Sequence, residues 1–453
     1  MKSKRELLLN GNITSLLFKF SAPAIIGMAA AALYNIVDTI FVGRGVGSIA
    51  IAALSIVLPI QLFMLGIGTM IGVGSASIIS RALGRNRKDI AQDIFENSLV
   101  LNIFFSVFFT ALIYSFMNKF LVFLGASDRV LPYAREYANI VMAGFIFFSF
   151  SVCSNNLIRA EGNPRASMYV MSVGAVINII LDPIFIFTMG LGIKGAAIAT
   201  VISQVISSIY VIFYILFGKS IFKLRLSISK IKFSIMKEIL VIGFPSFIRS
   251  SMASIITLVF NKLLLFYGSD LYIAIMGIGL RMLSLIQMPL IGITQGFSTI
   301  VGFNYGAKLY PRVKKVLGIA VIWSIIIAGT GFLVMMIFPR AIISLFSHDA
   351  DLINKGINIL RIVIIFLPLV GVQILGGGLF QAIGKATPAL ILTISRQVLF
   401  LVPAALLLPL IFGLNGVWLA VPVADFLSIA VTIIWIYREM KNLNIMTLQE
   451  KII

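Results

Sequence analysis

The sequence predicts an all-α polytopic membrane protein, with twelve transmembrane helices in two six-helix lobes related by pseudo-two-fold symmetry along the membrane normal. Three observations lead to this fold class. The mean hydropathy is +1.08, and 60% of the 453 residues are hydrophobic while only 11% are charged, against about 25% in a soluble domain. Apolar runs of about 20 residues, each long enough to cross a bilayer, recur along the chain. The two halves of the chain also resemble each other.

The apolar runs predict helices, because β-barrel alternation is absent and a backbone in lipid must satisfy its own hydrogen bonds. The first run begins near Ile13, is long and lacks a small-residue cleavage signature. We therefore expect a retained first helix and not a signal peptide. The predicted spans are residues 14–43, 48–78, 95–117, 132–158, 168–188, 193–217, 237–264, 271–302, 316–338, 353–381, 388–410 and 416–438.

The distribution of basic residues predicts the orientation. The net charge of +20 would suggest nucleic-acid binding in a soluble protein, but here the basic residues lie mostly in short loops. With the N-terminus inside, the cytoplasmic segments hold 23 Lys and Arg and the outer segments hold 7. The positive-inside rule therefore predicts a multi-pass protein of the cytoplasmic (inner) cell membrane, with both termini cytoplasmic and no nucleic-acid partner.

An internal repeat divides the chain. A basic linker follows the sixth span, so we expect an N-terminal lobe at 1–217, a cytoplasmic linker at 218–236 and a C-terminal lobe at 237–453. Six spans per copy give both copies the same topology, and rocking of two such lobes around a central cleft is typical of secondary transporters. The residues that match at an offset of 222 are Pro23 with Pro245, Gly74 with Gly296, Gly84 with Gly306, and the segment 159–162 with 381–384.

Composition excludes several kinds of chemistry. Cys153 is the single cysteine and His348 the single histidine, so the sequence predicts neither a disulfide nor a Cys/His metal site. A nucleotide-binding loop of the Gly-x-x-x-x-Gly-Lys-Ser/Thr type is absent, which argues against direct drive by ATP. We expect no cofactor and no enzymatic activity.

The strongest candidate site lies in the fifth span. Asn178 and Asp182 are four residues apart and share one helix face, and Pro183 leaves the carbonyl of Ile179 without its usual donor on the same turn. An ionised Asp at the centre of a membrane helix costs roughly 2.5–3.5 kcal/mol, so a coupling-ion site is the default hypothesis. The alternative is a satisfied hydrogen bond between helices.

The first span carries a second deep carboxylate. Pro23 can kink this helix, and Tyr34, Asn35 and Asp38 share one face. The functional hypothesis is that Asp38 and Asp182 take up a proton or a cation in a low-dielectric cavity and release it when the cavity opens elsewhere. The alternative is that Asp38 lies near the outer interface and pairs with Arg44. The second half carries no acid at the corresponding positions.

Further polar side chains could support this site. They supply hydroxyls and amides, although Ser, Thr and Asn commonly bridge membrane helices, so each alone is weak support. They are Thr200 and Gln204 in the sixth span, Tyr137, Asn155 and Asn156 in the fourth, and Gln61 in the second.

At this point the sequence resembles the multidrug and toxic compound extrusion (MATE) family, in the bacterial and archaeal branch related to DinF and MepA. The resemblance covers essentially the whole chain, and its most specific residues are Asn178, Asp182 and Thr200, with Tyr137 upstream. These look like the cation-binding cluster of the family, and Asp38 matches its first-helix acid. One metal ion is compatible with the resemblance, a Na⁺ bound by Asp182, Asn178 and Thr200. The resemblance implies an antiporter that expels organic, often cationic, compounds in exchange for H⁺ or Na⁺.

The second lobe departs from another branch of the family, whose members carry acids in the seventh, eighth or tenth span. Here those spans hold Arg249, Arg281 and Gln373, so coupling through this lobe is not expected. The arginines of this lobe, which include Arg361 and Arg396, could pair with Asp425 or with carbonyls, snorkel to an interface, or line a cavity.

The expected function is therefore a monomeric multidrug efflux antiporter that works by alternating access, contacts membrane lipid and takes small amphipathic, often cationic, substrates. The sequence leaves H⁺ and Na⁺ equally open as the coupling ion. A flippase for lipid-linked precursors is the alternative within transport. An intramembrane aspartyl hydrolase would also need two acids, but the Gly-x-Gly-Asp context of that chemistry is missing around Asp38 and Asp182.

Overall fold

The computed structural model describes residues 4–224, 231–346 and 349–452, except for the side chains of residues 451 and 452. His348 lies outside this part, as do four of the basic residues counted above as cytoplasmic, namely Lys2, Arg225, Lys230 and the side chain of Lys451. Within it every regular element is a helix, and there is no β-strand. The expected all-helical fold class is confirmed.

Seventeen α-helices form in the described residues, and each predicted span coincides with one of them or with a broken pair. Two π-helical segments, Ile184–Thr188 and Ser395–Leu401, continue α7 and α15. The helices are α1 (Lys4–Asn10), α2 (Ile13–Gly45), α3 (Ser48–Gly84), α4 (Lys88–Phe123), α5 (Leu131–Ala143), α6 (Phe145–Ala160), α7 (Pro164–Pro183), α8 (Gly192–Phe217), α9 (Phe233–Tyr267), α10 (Asp270–Gly306), α11 (Tyr310–Ile337), α12 (Pro339–Ser344), α13 (Ala350–Val363), α14 (Leu367–Ala382), α15 (Ala386–Ile394), α16 (Val402–Phe412) and α17 (Leu414–Ile452).

Two of the twelve predicted spans are bent. The chain turns by 55° where α5 meets α6 and by 47° where α13 meets α14. Ten other helices, counting the π-helical continuations with them, are long and apolar enough to cross a membrane, so the described residues hold twelve spans when each bent pair counts as one. Hydropathy predicted these two spans as unbroken, because a bend at Gly144 leaves the apolar run intact.

Several helices extend beyond the predicted spans. The third predicted span is 95–117, but the corresponding helix, α4, begins at Lys88. The last predicted span ends at 438, but α17 continues to Ile452. Charged residues end an apolar run without ending a helix, since Lys, Glu and Arg are good helix formers. The hydropathy window therefore underestimates the length of a helix that leaves the bilayer.

The chain forms two compact units. The first unit is Pro23–Ser251, and the second unit is Met1–Ala22 together with Met252–Ile453. The first turns of α2 therefore belong to the second unit. There a Cβ added to Gly296 of α10 would lie about 3.0 Å from backbone atoms of Phe20 and Ser21. Likewise the first turns of α9 belong to the first unit, where Gly74 of α3 faces Ile239.

The basic linker is anchored to the first unit on both sides of residues 225–230. The Ile221 amide donates to Glu161 Oε2 at 2.9 Å, and the Gln92 side chain exchanges two hydrogen bonds with the backbone of Lys223, at 3.0 and 2.7 Å. After the gap, the Lys232 amide donates to Asn97 Oδ1 at 2.9 Å. These bonds satisfy backbone groups that no regular element pairs.

The core of the second unit is built around Trp418 and Phe260, each about 1% exposed. Apolar residues of α9, α10, α13 and α17 pack around them. Within this unit, the end of helix α1 is held by α10 and α11, because Arg312 donates to Gly11 O at 2.7 Å and Asn304 donates to Leu8 O at 3.3 Å. The end carbonyls of α1 thereby receive the donors that its own turns cannot supply.

Candidate functional site

The candidate site lies inside the first unit, and five of its helices contribute to it. The side chains come from positions that share the inward face of each helix, which is why polar groups can meet there away from lipid. They are Tyr34 and Asp38 of α2, Gln61 of α3, Tyr137 of α5, Asn178 and Asp182 of α7, and Thr200 of α8.

Asn178 and Asp182 are both fully buried on α7. The Asn178 Nδ2 group donates to Asp182 Oδ1 at 3.2 Å and to Thr200 Oγ1 at 3.4 Å. This amide therefore links α7 to α8 and fixes the Asp182 carboxyl. The helix ends directly afterwards at Pro183, which has no amide hydrogen to donate, and the chain continues as the π-helical segment Ile184–Thr188.

Asp38 meets Asp182 in this site. The carboxyl of Asp38 is 7% exposed and lies within hydrogen-bonding reach of the Asp182 carboxyl. Tyr34, one turn before Asp38, lies close enough to both acids for their charges to act on its hydroxyl. Arg44 is an exposed residue, and in the described part of the chain no ion pair joins it to Asp38. The alternative in which Asp38 pairs with Arg44 is therefore not what the structure contains.

A second layer of hydroxyls and amides surrounds the acids. The buried Tyr137 hydroxyl accepts a hydrogen bond from Gln61 Nε2 at 3.3 Å and hydrogen-bonds with the side chain of Thr200. Thr200 therefore connects the tyrosine to Asn178 and, through it, to Asp182. The result is a continuous polar network across α3, α5, α8 and α7.

Three buried oxygens in this network receive no donor from any described residue. They are Asp38 Oδ1, Asp182 Oδ2 and Asn178 Oδ1. Buried oxygens without a donor carry a desolvation cost, which a proton or a cation would offset. Carboxylate, amide and hydroxyl oxygens are the ligands that hard cations prefer. In the described residues no group of three or more His, Cys, Asp or Glu is assembled, so the donor set differs from that of a transition-metal site.

Four of the predicted supporting residues do not reach this network. Asn35 is exposed and donates to Ala31 O within its own helix at 2.7 Å. Gln204 lies on α8, and its Oε1 atom is buried without a described partner. Asn155 and Asn156 accept hydrogen bonds from Arg159 at 3.3 and 2.6 Å.

The cluster around Arg159 was missed by sequence reasoning. The count of 23 cytoplasmic Lys and Arg given above includes Arg159 as a loop residue, whereas the structure buries it to 4% exposure at the end of α6. A further hydrogen bond joins this cluster to α7, because Asn155 Nδ2 donates to Ser167 O at 2.6 Å. The signal was available, since an arginine three and four residues after two asparagines shares their helix face.

The structure also places the predicted kink proline of the first span and the four arginines of the second half. Pro23 lies inside α2, at the boundary between the residues of the two units. In the second unit, Arg396 Nε donates to Asp425 Oδ1 at 2.7 Å, and Arg361 donates to Met336 O at 3.4 Å. Arg249 and Arg281 are exposed.

Comparison with protein families gives one match along the chain. The family model described as MatE matches residues 23–184 and 242–406, which lie in the two halves of the internal repeat. Asp38, Asp182 and Asn178 all fall within the first matched segment.

Curated relatives extend over nearly the whole chain. The multidrug export protein MepA of Staphylococcus aureus (strain MSSA476) is 30% identical over 434 residues, which is 94% of each chain. The protein of the same name from Staphylococcus saprophyticus subsp. saprophyticus is 28% identical over 431 residues, or 93% of each chain.

Solved structures have the same fold. An outward-facing conformation of a multidrug resistance MATE family transporter of the MOP superfamily superposes with a TM-score of 0.92 at 27% identity, covering 98% of this chain and 99% of the other. A MATE structure in complex with MaD3S gives a TM-score of 0.91 at 27% identity, with 98% and 100% covered. A MOP superfamily transporter from Pyrococcus furiosus gives 0.91 at 27% identity, with 98% and 99% covered.

Proposed function

Because the chain belongs to the MatE family of membrane transporters, we propose that it is a multidrug efflux antiporter that exports small organic, often cationic, compounds in exchange for H⁺ or Na⁺. It works as a monomer in the cytoplasmic membrane, with both termini in the cytoplasm, and it is not an enzyme. Relatives named multidrug export proteins, similar along 94% of their length, support the substrate class.

The observation that carries the coupling proposal is the meeting of Asp38 with Asp182. Two carboxylates within hydrogen-bonding reach repel each other when both are ionised, so the pair is stable only with a proton or a cation between them. The donor-free oxygens of Asp38, Asp182 and Asn178 offer the positions for that ion. Thr200 and Tyr137 supply hydroxyl groups beside it.

Ion binding then changes the forces within the first unit. An empty acid pair pushes α2 and α7 apart, and an occupied pair draws them together. In the proposed cycle, an ion from outside neutralises the pair, the substrate loses affinity and leaves outward, and substrate entering from the inner side favours release of the ion inward. Alternating access couples these two steps.

The ion gradient is sufficient to drive export. Each tenfold ratio of ion concentration supplies about 1.4 kcal/mol, and each 100 mV of membrane potential supplies about 2.3 kcal/mol per charge. Both terms together can sustain a substrate gradient of more than a hundredfold for one ion exchanged per molecule of uncharged substrate.

The test is ethidium transport in proteoliposomes, with a pH gradient or a Na⁺ gradient imposed one at a time. We expect transport under at least one gradient, and we expect Asp182→Asn to lower it to the rate of protein-free vesicles. Asp270→Asn is the matched control, because Asp270 is an exposed acid at the start of α10. Gradient-driven transport by Asp182→Asn at the unmodified rate would contradict the proposal, and the gradient that works identifies the ion.

A further inference from the structure

The last turns of α17 are held against the rest of the second unit by one face of the helix. Lys385 makes an ion pair with Glu439 at 2.6 Å, and Glu439 is 3% exposed. One turn later Leu443 is fully buried, and near the end of the helix Lys308 makes an ion pair with Glu450, also at 2.6 Å. Both acidic residues in these turns are therefore already neutralised by lysines of the same unit.

The opposite face of these turns carries two basic side chains. Arg438 and Lys441 are three residues apart, so they are neighbours on the helix surface, and both are exposed. Helical spacing turns them away from the buried Leu443. Neither forms a hydrogen bond or an ion pair with another residue in the described part of the chain. This face therefore presents two positive charges without an acidic partner.

The two bases lie where α17 leaves the hydrocarbon region. From its first residue to Tyr437 the helix carries one charged residue, Asp425, which is buried and pairs with Arg396 inside the unit. A segment of this length is enough to cross a bilayer, so Arg438 is the first unpaired charge beyond it. Tyr437 beside it is 72% exposed, and tyrosine is enriched at the level of the lipid headgroups.

A phosphate carried by a lipid is the anion that this face fits. A guanidinium can donate two parallel hydrogen bonds to phosphate oxygens, and a lysine ammonium adds a compact positive charge. Ile434 and Tyr437 continue the same face one turn towards the membrane, and both are exposed. A soluble anion would leave these side chains uncovered, whereas the acyl chains of a lipid cover them.

We propose that Arg438 and Lys441 bind the phosphate headgroup of an anionic phospholipid whose acyl chains lie along Ile434 and Tyr437. A zwitterionic lipid binds less tightly, because its own positive group repels the two bases. The inference goes beyond the proposed antiport and uses no residue of the carboxylate site. It shares with that proposal the cytoplasmic position of the C-terminus, which assigns the lipid to the inner leaflet, where anionic lipids attract basic segments.

The experiment measures quenching of Trp435 fluorescence by brominated lipids in nanodiscs that hold the purified full-length protein. Trp435 lies one turn before Arg438 and is partly exposed, and the part of the signal that Trp435→Phe removes is the local one. Nanodiscs that mix phosphatidylglycerol with phosphatidylcholine, with one lipid brominated at a time, give the relative affinity of the two lipids. We expect phosphatidylglycerol to bind about tenfold more tightly, since each base near an anionic headgroup adds attraction. Equal affinities would overturn the proposal.

Two double variants provide the matched comparison. Arg438→Gln/Lys441→Gln is expected to bring the affinities of the two lipids to within about twofold of each other, because it removes both charges. The control is Arg85→Gln/Lys88→Gln, which removes two exposed bases of the same spacing at the turn between α3 and α4 and should keep the full preference. A preference that survives in the first variant, or that falls equally in the control, would overturn the proposal.

Added inorganic phosphate separates a free anion from a lipid. Sodium chloride of the same ionic strength is the reference, because both salts screen the two bases. We expect the two salts to weaken the preference equally, and a loss specific to inorganic phosphate would overturn the lipid assignment. Nanodiscs expose both leaflets, so a reversed orientation in the cell would contradict the proposed topology while leaving these binding results unchanged.

Discussion

Gly74 of α3 lies so close to α9 that a Cβ on it would overlap the carbonyl oxygen of Ile239. The contact is reciprocal, because a Cβ on Gly243 of α9 would overlap the carbonyl oxygen of Met70. Both contacts lie within the first unit, and they bring two helix backbones together with no side chain between them. Small residues allow such close packing between membrane helices, where no hydrophobic effect drives association.

Gly74→Ala is expected to destabilise the protein by about 1–3 kcal/mol, the usual cost of an overpacked core. The added methyl group must push α3 away from α9, since a backbone carbonyl cannot rotate aside. The measurement is the thermal unfolding midpoint of the detergent-purified protein, followed by the loss of the monodisperse peak in size-exclusion chromatography.

Gly318→Ala is the control for this substitution, because Gly318 lies on α11 and a Cβ there meets no atom within 4 Å. We expect this variant to unfold at or slightly above the midpoint of the unmodified protein, since alanine is the better helix former. If Gly74→Ala unfolded at the same midpoint as Gly318→Ala, the close approach of α3 to α9 described above would be wrong.

Asn178→Ala is expected to shift the concentration of coupling ion that gives half-maximal ethidium transport, in a direction that depends on the ion. With H⁺ the half-maximal proton concentration falls by about 10-fold to 100-fold, because the substitution removes the Nδ2 donor at 3.2 Å that stabilises the ionised Asp182 carboxylate. With Na⁺ the half-maximal concentration rises, because the substitution removes the Asn178 Oδ1 oxygen from the proposed ion site. A hydrogen bond to a charged group is worth about 1.5–3 kcal/mol, and 1.4 kcal/mol is tenfold in a binding constant.

The half-maximal concentration is measured in proteoliposomes as the imposed ion gradient is varied. Asn415→Ala is the control, because Asn415 is exposed near the start of α17. A half-maximal concentration for Asn178→Ala equal to that of the control would show that the α7 network does not hold the ion.

Arg159→Ala is expected to lower stability by several kcal/mol. It leaves the buried side-chain oxygens of Asn155 and Asn156 without the guanidinium that donates to them, and each hydrogen bond to a charged group is worth about 1.5–3 kcal/mol. Arg159→Lys should recover only part of the loss, because an ammonium group cannot reproduce the planar fork of donors.

Thermal unfolding of the same preparations provides the comparison, with Arg165→Ala as the control, since Arg165 is exposed at the start of α7. Arg165→Ala should leave the midpoint unchanged. Equal midpoints for Arg159→Ala and Arg165→Ala would mean that the buried cluster contributes nothing to folding.

Local regularities of the sequence predicted the spans and one part of the candidate site. Hydropathy located all twelve spans, because crossing a bilayer requires about 20 consecutive apolar residues whatever the rest of the chain does. Helical spacing alone brought Asn178 to Asp182, and the structure contains that hydrogen bond at 3.2 Å. Both follow from contacts within a single helix.

Contacts between distant helices could not be predicted from such spacing. The sequence named Asp38 and Asp182 separately, but the packing of α2 against α7 decides that their carboxyls meet. Asn155 and Asn156 are a different case, because Arg159 on the same helix is buried beside them and donates to their oxygens, a contact that helical spacing could have predicted.

The sequence by itself determined that this chain crosses a membrane and which helices carry its buried acids, since the cost of placing a polar group in lipid acts on each helix separately. The tertiary structure alone decided which of those polar groups face each other. Such arrangements depend on the rotation and close approach of helices, which side chains far apart in the sequence set together.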